Sequence, residues 1–193
     1  MTSTDFFNQI NTAIQSKLPF VLFSKPESQS VKAYIQTNTE THIINDYSES
    51  GFVFAPFDSE KDSYYIPSDS SEIIDVKQPD FKVCSHSSSL RSIDSTVNHL
   101  TLVSKAIDKI NATDLEKVVL SREFKFHLED SNPLEIFKKL AQNYSSAFTY
   151  CWFHPQTGFW LGASPESLSK VEGKMVSTMA LAGTQVFKSS DKV

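Results

Sequence analysis

Several things are scarce in this chain, and each scarcity removes a class of function. Only two cysteines, Cys84 and Cys151, occur in 193 residues, too few for a disulfide framework or a metal cage. Reduced thiols in a cytosolic protein are expected instead. Basic residues number 18 against 23 acidic ones, a formal net charge of −5, and no cluster of Lys and Arg offers phosphates a footing, so nucleic acid is not expected as a partner. Met1 to Phe7 lacks the basic and then apolar texture of a secretion signal, and the longest apolar run is far short of a membrane span. A soluble, cytoplasmic chain with no membrane partner is therefore expected. On that expectation Asn111-Ala112-Thr113 and Asn143-Tyr144-Ser145 are chance matches to the glycosylation pattern. There is no nucleophile elbow, Walker loop, His-Glu-x-x-His or Gly-x-Gly-x-x-Gly. The five histidines (42, 86, 99, 127 and 154) lack metal-ligand spacing and read as surface or packing residues.

What is present is enough to build a core. The chain is 39% hydrophobic and 12% aromatic, and 21% charged, which excludes a disordered polyelectrolyte. The length suits one domain, or one and a fraction. Phe6, Phe7, Ile10, Ile14 and Leu18 form one helical stripe, with Ser3 or Thr4 as cap and Pro19 as stop. Short β-like runs follow at 20–23, 31–35, 41–44, 51–57 and 64–66, separated by polar turns. Residues 67–90 read as exposed loops carrying scattered apolar positions, not as a linker. A second amphipathic stripe, Ile93, Val97, Leu100, Val103, Ile107 and Ile110, predicts a helix over 91–111 capped by Ser92. Alternation predicts a strand from Lys117 to Leu128, and Asn132-Pro133 opens a third helix over 133–142. Two hairpins close the chain, 147–154 with 159–163 and 168–171 with 174–180. The alternating aromatics Phe148, Tyr150 and Trp152 read as core, and Asp58 to Asp62 as a solvated turn. The fold expected is α+β, a largely antiparallel β-sheet packed with helices.

Four segments carry a family resemblance. Lys117-Val118-Val119-Leu120-Ser121-Arg122 resembles a hallmark of the chorismate-utilising enzymes, in particular the isochorismate synthases. Phe159 to Leu168 is similar to their Gly-Ala-Ser-Pro-Glu segment, and Ala180-Leu181-Ala182-Gly183-Thr184 to their Leu-Ala-Gly-Thr segment. Gly51 to Phe57 resembles a segment of their N-terminal region. The four occur in the family's order over roughly residues 51–184. Gln185-Val186-Phe187 departs from the pattern, since many relatives carry an arginine soon after the Gly-Thr.

The resemblance implies a reaction: water attacks C2 of chorismate, the ring double bonds shift, and the C4 hydroxyl leaves. That needs a base for the water and an acid for the departing oxygen. Lys117 matches the family's general base, a role that requires burial or nearby positive charge. Glu166 matches the general acid, which must be protonated at neutral pH. By residue type alone the first is a solvated strand lysine and the second a turn carboxylate; the matched context assigns the roles. Gly183 and Thr184 would offer N–H groups and a hydroxyl to a substrate oxygen, with Ala182 and Leu181 shaping the pocket. A lysine at 117 favours water over the ammonia used by anthranilate synthases; salicylate synthases, which also eliminate pyruvate, stay open.

The resemblance also places this chain in the N-terminal portion of a longer enzyme. Residues 1–193 would form that portion, the first roughly 90 being more variable and 91–193 holding the first catalytic motifs. Mg²⁺ is the implied cofactor, its ligands expected in a C-terminal half, with no metal ligand in this chain. The 193 residues alone are then expected to be inactive, and apolar surface awaiting that half would be exposed or would drive self-association. A stand-alone, non-catalytic scaffold module that lost the metal half is the competing expectation.

Overall fold

A computed structural model describes residues 1–77, 79, 81, 91–92, 96–127 and 132–181. In chain order the elements are α1 (Ser3–Gln15), β1 (Phe20–Ser24), β2 (Ser30–Gln36), β3 (Gly51–Phe54), β4 (Tyr64–Pro67), β5 (Ser71–Lys77), β6 (Arg91–Ser92), α2 (Thr96–Ala112), β7 (Phe126–His127), α3 (Pro133–Asn143), β8 (Phe148–His154), β9 (Gly158–Ser164), β10 (Lys170–Glu172) and β11 (Met175–Ser177). They fall into two units, Met1–Cys84 with Asn132–Val193, and Ser85–Ser131. The result is α+β with antiparallel pairing among the described strands.

The larger unit is built on a five-stranded sheet of order β5-β2-β1-β8-β9. Its central strand β1 is buried on both faces, which is why Phe20-Val21-Leu22-Phe23 reads as a continuous apolar run and does not alternate. On one face Phe20 and Leu22 join Val31, Ala33, Ile35, Ile74, Val76 and Cys151 beneath α1 and α3. The helices contribute Phe6, Phe7, Ile10 and Ala13 from α1 and Leu134 and Phe137 from α3. On the other face Val21, Phe23 and Trp152 pack with Ile66, Phe52, Phe54 and Tyr64 of the β3–β4 ribbon. Phe54 stacks on Trp152 with ring centroids 4.9 Å apart, and Phe23 on Phe148 at 5.6 Å. Each such large side chain taken from water contributes about 1.5–3 kcal/mol.

Local chemistry fixes the helix ends. The α1 cap is Thr2, one residue before the expected pair, because Asp5 completes a capping box: Thr2 Oγ1 accepts from the Asp5 N–H (3.1 Å) and Asp5 Oδ2 from the Thr2 N–H (3.2 Å). The Thr2 hydroxyl, donating to Asp5 Oδ2 at 2.7 Å, and then the Thr2 N–H hold the Asp5 carboxyl below its ordinary pKa. Asn132 caps α3 as expected, Oδ1 accepting from the Leu134 N–H at 2.9 Å.

Some expectations fail for identifiable reasons. Residues 71–77 form β5, hidden in the sequence by the Ser-rich stretch before it; only every second residue, Ile74 and Val76, is buried. The run 41–44 gives a single bridge, Ile43 to Tyr64. The second C-terminal hairpin contracts to β10–β11 around Gly173, whose φ of +59° suits glycine. Cys151 is buried and unpaired, and desolvation pushes its thiol up to about 12. Cys84, His86, Ile93 and the 85–89 loop lie outside the described residues.

The smaller unit pairs β6 with β7 and contains α2; Arg91 and Ser92, expected at the start of that helix, lie in β6 because they pair with His127 and Phe126, and residues 93–95 lie outside the described residues. The expected strand from Lys117 survives only as Phe126–His127; residues 113–125 have no regular structure. A strand needs a partner for its backbone groups, and β6 offers two residues.

Candidate functional site

The site begins where β9 ends. Strand β9 pairs with β8 in register from Phe148↔Ser164 to His154↔Gly158. This register sets Gly162 opposite Tyr150, and a Cβ there would come within 2.6 Å of a Tyr150 ring carbon. A side chain there would push the Tyr150 ring aside, so glycine lets that ring lie over the strand; the sequence reading, which treated the Gly-Ala-Ser-Pro-Glu segment as a whole, missed Tyr150 as its packing partner. The Tyr150 phenol, partly buried, is pushed above its ordinary pKa.

After the strand, Ser164 Oγ donates to the Glu166 carbonyl at 3.0 Å and closes a turn over Pro165. The β10–β11 hairpin then returns the chain, and the Met179 N–H donates to the Ser167 carbonyl at 3.3 Å. Two residues on, the Leu181 N–H donates to Glu166 Oε1 at 3.0 Å. Two segments distant in sequence are thus joined through the carboxylate assigned the acid role. With Oε1 engaged as an acceptor, Oε2 remains the oxygen at which a proton can be carried. Glu166 and Leu181 are both exposed.

Of the sequence-predicted residues, then, Glu166 and Leu181 meet. Ala182, Gly183 and Thr184 lie outside the described residues. Lys117 belongs to the smaller unit, on the irregular segment 113–125, and is exposed, as are its neighbours Val118 and Val119. The burial that a lysine base requires is not supplied there by the described residues.

Mg²⁺ demands oxygen ligands grouped around one point. Among the described residues no group of three or more His, Cys, Asp or Glu is placed to hold a metal ion, so they do not fit the implied cofactor and no step is derived through it. Three clefts are found among the described residues, one of about 470 Å³ being lined by Ser28, Gln29, Ser30 and Lys77. Another, of about 780 Å³, is lined by aromatic Phe54, Phe57, Tyr64 and Trp160; the third, of about 200 Å³, lies by the β1–β2 turn and α3. No sequence-predicted site residue lines any of them.

Similarity to known proteins now decides the family. The pattern of the chorismate binding enzymes matches residues 20–192, nearly the whole chain. The chain belongs to the chorismate binding enzyme family. Within it, the chain is similar to anthranilate synthase component 1 of Thermococcus kodakarensis, 37% identical over 75 residues, which is 39% of this chain and 17% of that protein. It is also similar to isochorismate synthase MenF of Haemophilus influenzae, 28% identical over 91 residues, 47% of this chain and 21% of that protein. The matched stretches thus span about a fifth of either relative. No solved structure matches. No helix among the described residues is long and apolar enough to cross a membrane.

Proposed function

We propose that this chain is the N-terminal part of an isochorismate synthase that converts chorismate by adding water at C2 with loss of the C4 hydroxyl. The observation that carries this reading is Lys117 at the head of Lys117–Arg122. It stands upstream of a Glu166 tied by hydrogen bond to the segment from which Gly183 and Thr184 follow. In the reaction Lys117, as the neutral amine, takes a proton from the attacking water. The new C2–O bond forms, the ring π electrons shift, and the C4–O bond breaks. Glu166, carrying its proton on Oε2, protonates the departing oxygen, which leaves as water. Gly183 and Thr184 hold a substrate oxygen, and the Leu181 and Ala182 side chains border the pocket; the Leu181 N–H is already committed to Glu166.

A second reading has its own support, because one relative is an anthranilate synthase component at 37% identity. In that reading ammonia replaces water as nucleophile. Lys117 is what weighs against it. The experiment is a product assay on the full-length protein that carries this chain, with chorismate and Mg²⁺, in the presence and absence of ammonia. Isochorismate without ammonia supports the proposal; anthranilate that appears only with ammonia replaces it, and salicylate with pyruvate makes it a salicylate synthase. The 193-residue chain assayed alone should give no product.

A further inference from the structure

His154 occupies an unusual position at the end of β8. It is completely buried, and its Nδ1 accepts the N–H of Gln156 at 3.1 Å inside the β8–β9 turn. The ring proton must then sit on Nε2, and Nε2 is buried with no hydrogen-bond partner. The ring lies 5.0 Å from that of Tyr64 on β4 and stacks at 6.0 Å on Trp152 of its own strand. The one other titratable group acting on it is His42, whose Nε2 is 4.0 Å from Glu40 Oε2. Among the described residues no carboxylate hydrogen-bonds the His154 ring.

A neutral imidazole fits this setting and an imidazolium does not. A proton on Nδ1 would set two donors, Nδ1–H and the Gln156 N–H, against each other. It would also bury a charge with no counter-ion, which costs far more than burying a neutral ring. The same turn holds the edge of the sheet: the Trp152 Nε1–H donates to Thr157 Oγ1 (2.8 Å), the Thr157 N–H to the His154 carbonyl (3.1 Å), and the Trp160 Nε1–H to the Thr157 carbonyl (3.0 Å). Among the described strands β9 pairs with β8 alone, so its backbone pairing runs through the strand that the turn joins to it, while α3 and the rings of Phe20 and Phe54 pack on its side chains.

We propose that His154 is an acid-sensitive latch: proton uptake expels its ring, opens the 154–158 turn and frees β9 from the sheet edge. Strand β9 leads directly to Ser164 and Glu166, so acid would loosen the segment that presents the candidate acid. The proposal does not depend on the chemistry assigned to that residue. Its direction follows from linkage. Desolvation first, and then His42, holds the folded-state pKa of His154 below its ordinary value, whereas an unfolded histidine takes up a proton near about 6.5. Below that pH the unfolded chain binds more protons, so stability is complete above it and falls as the solution is acidified.

The test is imidazole NMR together with amide hydrogen exchange on the 193-residue chain from pH 7.5 to 5. His154 should stay neutral, as the Nε2–H tautomer, at the pH of about 6.5 where an unfolded histidine takes up its proton. On its protonation the Gln156 and β9 amides should lose protection by roughly tenfold per pH unit, with those of β1 and β2 unchanged. The melting temperature should fall by roughly 3 °C between pH 7 and 5.5. His154→Asn, whose side-chain oxygen takes the place of Nδ1, should remove that fall, and His42→Gln should keep it. The proposal is overturned if His154 takes up its proton near about 6.5, as an unfolded histidine does, while β9 stays protected, or if His154→Asn retains the full fall. Should His154→Asn not fold, the titration of the unmodified chain decides alone.

Discussion

Helices α1 and α3 differ from α2 in how their apolar stripes are covered, not in whether they have one. All three carry an apolar stripe at helical spacing. Those of α1 and α3 are sealed against the five-stranded sheet, with Phe6, Ile10, Leu134 and Phe137 at 1% exposure or less. On α2 the stripe is open to solvent, Leu100 at 63% and Ile107 at 52%. The same contrast separates strands. Phe148–His154 alternates and lies in the sheet between β1 and β9; residues 117–125 alternate and form no strand. A periodic pattern states which face wants burial. Whether burial follows depends on a neighbour that the local sequence does not name.

Stability measurements can break this comparison. Trp152→Ala should remove about 3–5 kcal/mol from the larger unit, since it empties the centre of the aromatic face, as read by denaturant unfolding. Ile107→Ala on α2 should change stability by less than about 0.5 kcal/mol, the range of ordinary surface substitutions. Equal losses at the two positions would mean that the α2 stripe is covered after all. Next in size, Gly162→Ala should cost about 1–3 kcal/mol, because its methyl must displace the Tyr150 ring; a neutral result would free Tyr150 from the packing role given to it. Smaller again, Thr2→Ala should cost about 1 kcal/mol through loss of the α1 capping box. A larger loss would show that the cap also anchors tertiary packing. The exposed apolar residues of the C-terminal hairpin, Leu168, Val171, Met175 and Val176, sharpen the contrast within the larger unit itself. Sedimentation should detect self-association of the 193-residue chain that Val171→Ser with Val176→Ser weakens; a monomer at all concentrations would rule out that surface as a self-association site.

The fold was legible where residues answer to their own neighbourhood. The Asn132-Pro133 start, the stripes of α1 and α3, the part of the second stripe that lies within α2, and the Pro155–Gly158 hairpin turn are local signals, and the structure has each of them. Strand β5 was not legible, because its identity rests on pairing with β2, and two buried positions among polar ones make a faint signal. The 117–128 strand was misread for the converse reason: alternation was present, and among the described residues a long enough partner was not. For the site, no generic motif exposed Glu166 or Lys117; a family pattern did. The Leu181 N–H on Glu166 is a contact across 15 residues that no spacing rule contains, and His154 passed as one more packing histidine.

The most direct test of the central claim, that this chain supplies the base and acid for adding water to chorismate, is single-turnover assay of the full-length protein carrying Lys117→Ala or Glu166→Gln. The account predicts that each loses at least about 10²-fold in isochorismate formation, with chorismate affinity changed far less. A Lys117→Ala protein that still forms isochorismate at a near-normal rate would contradict it.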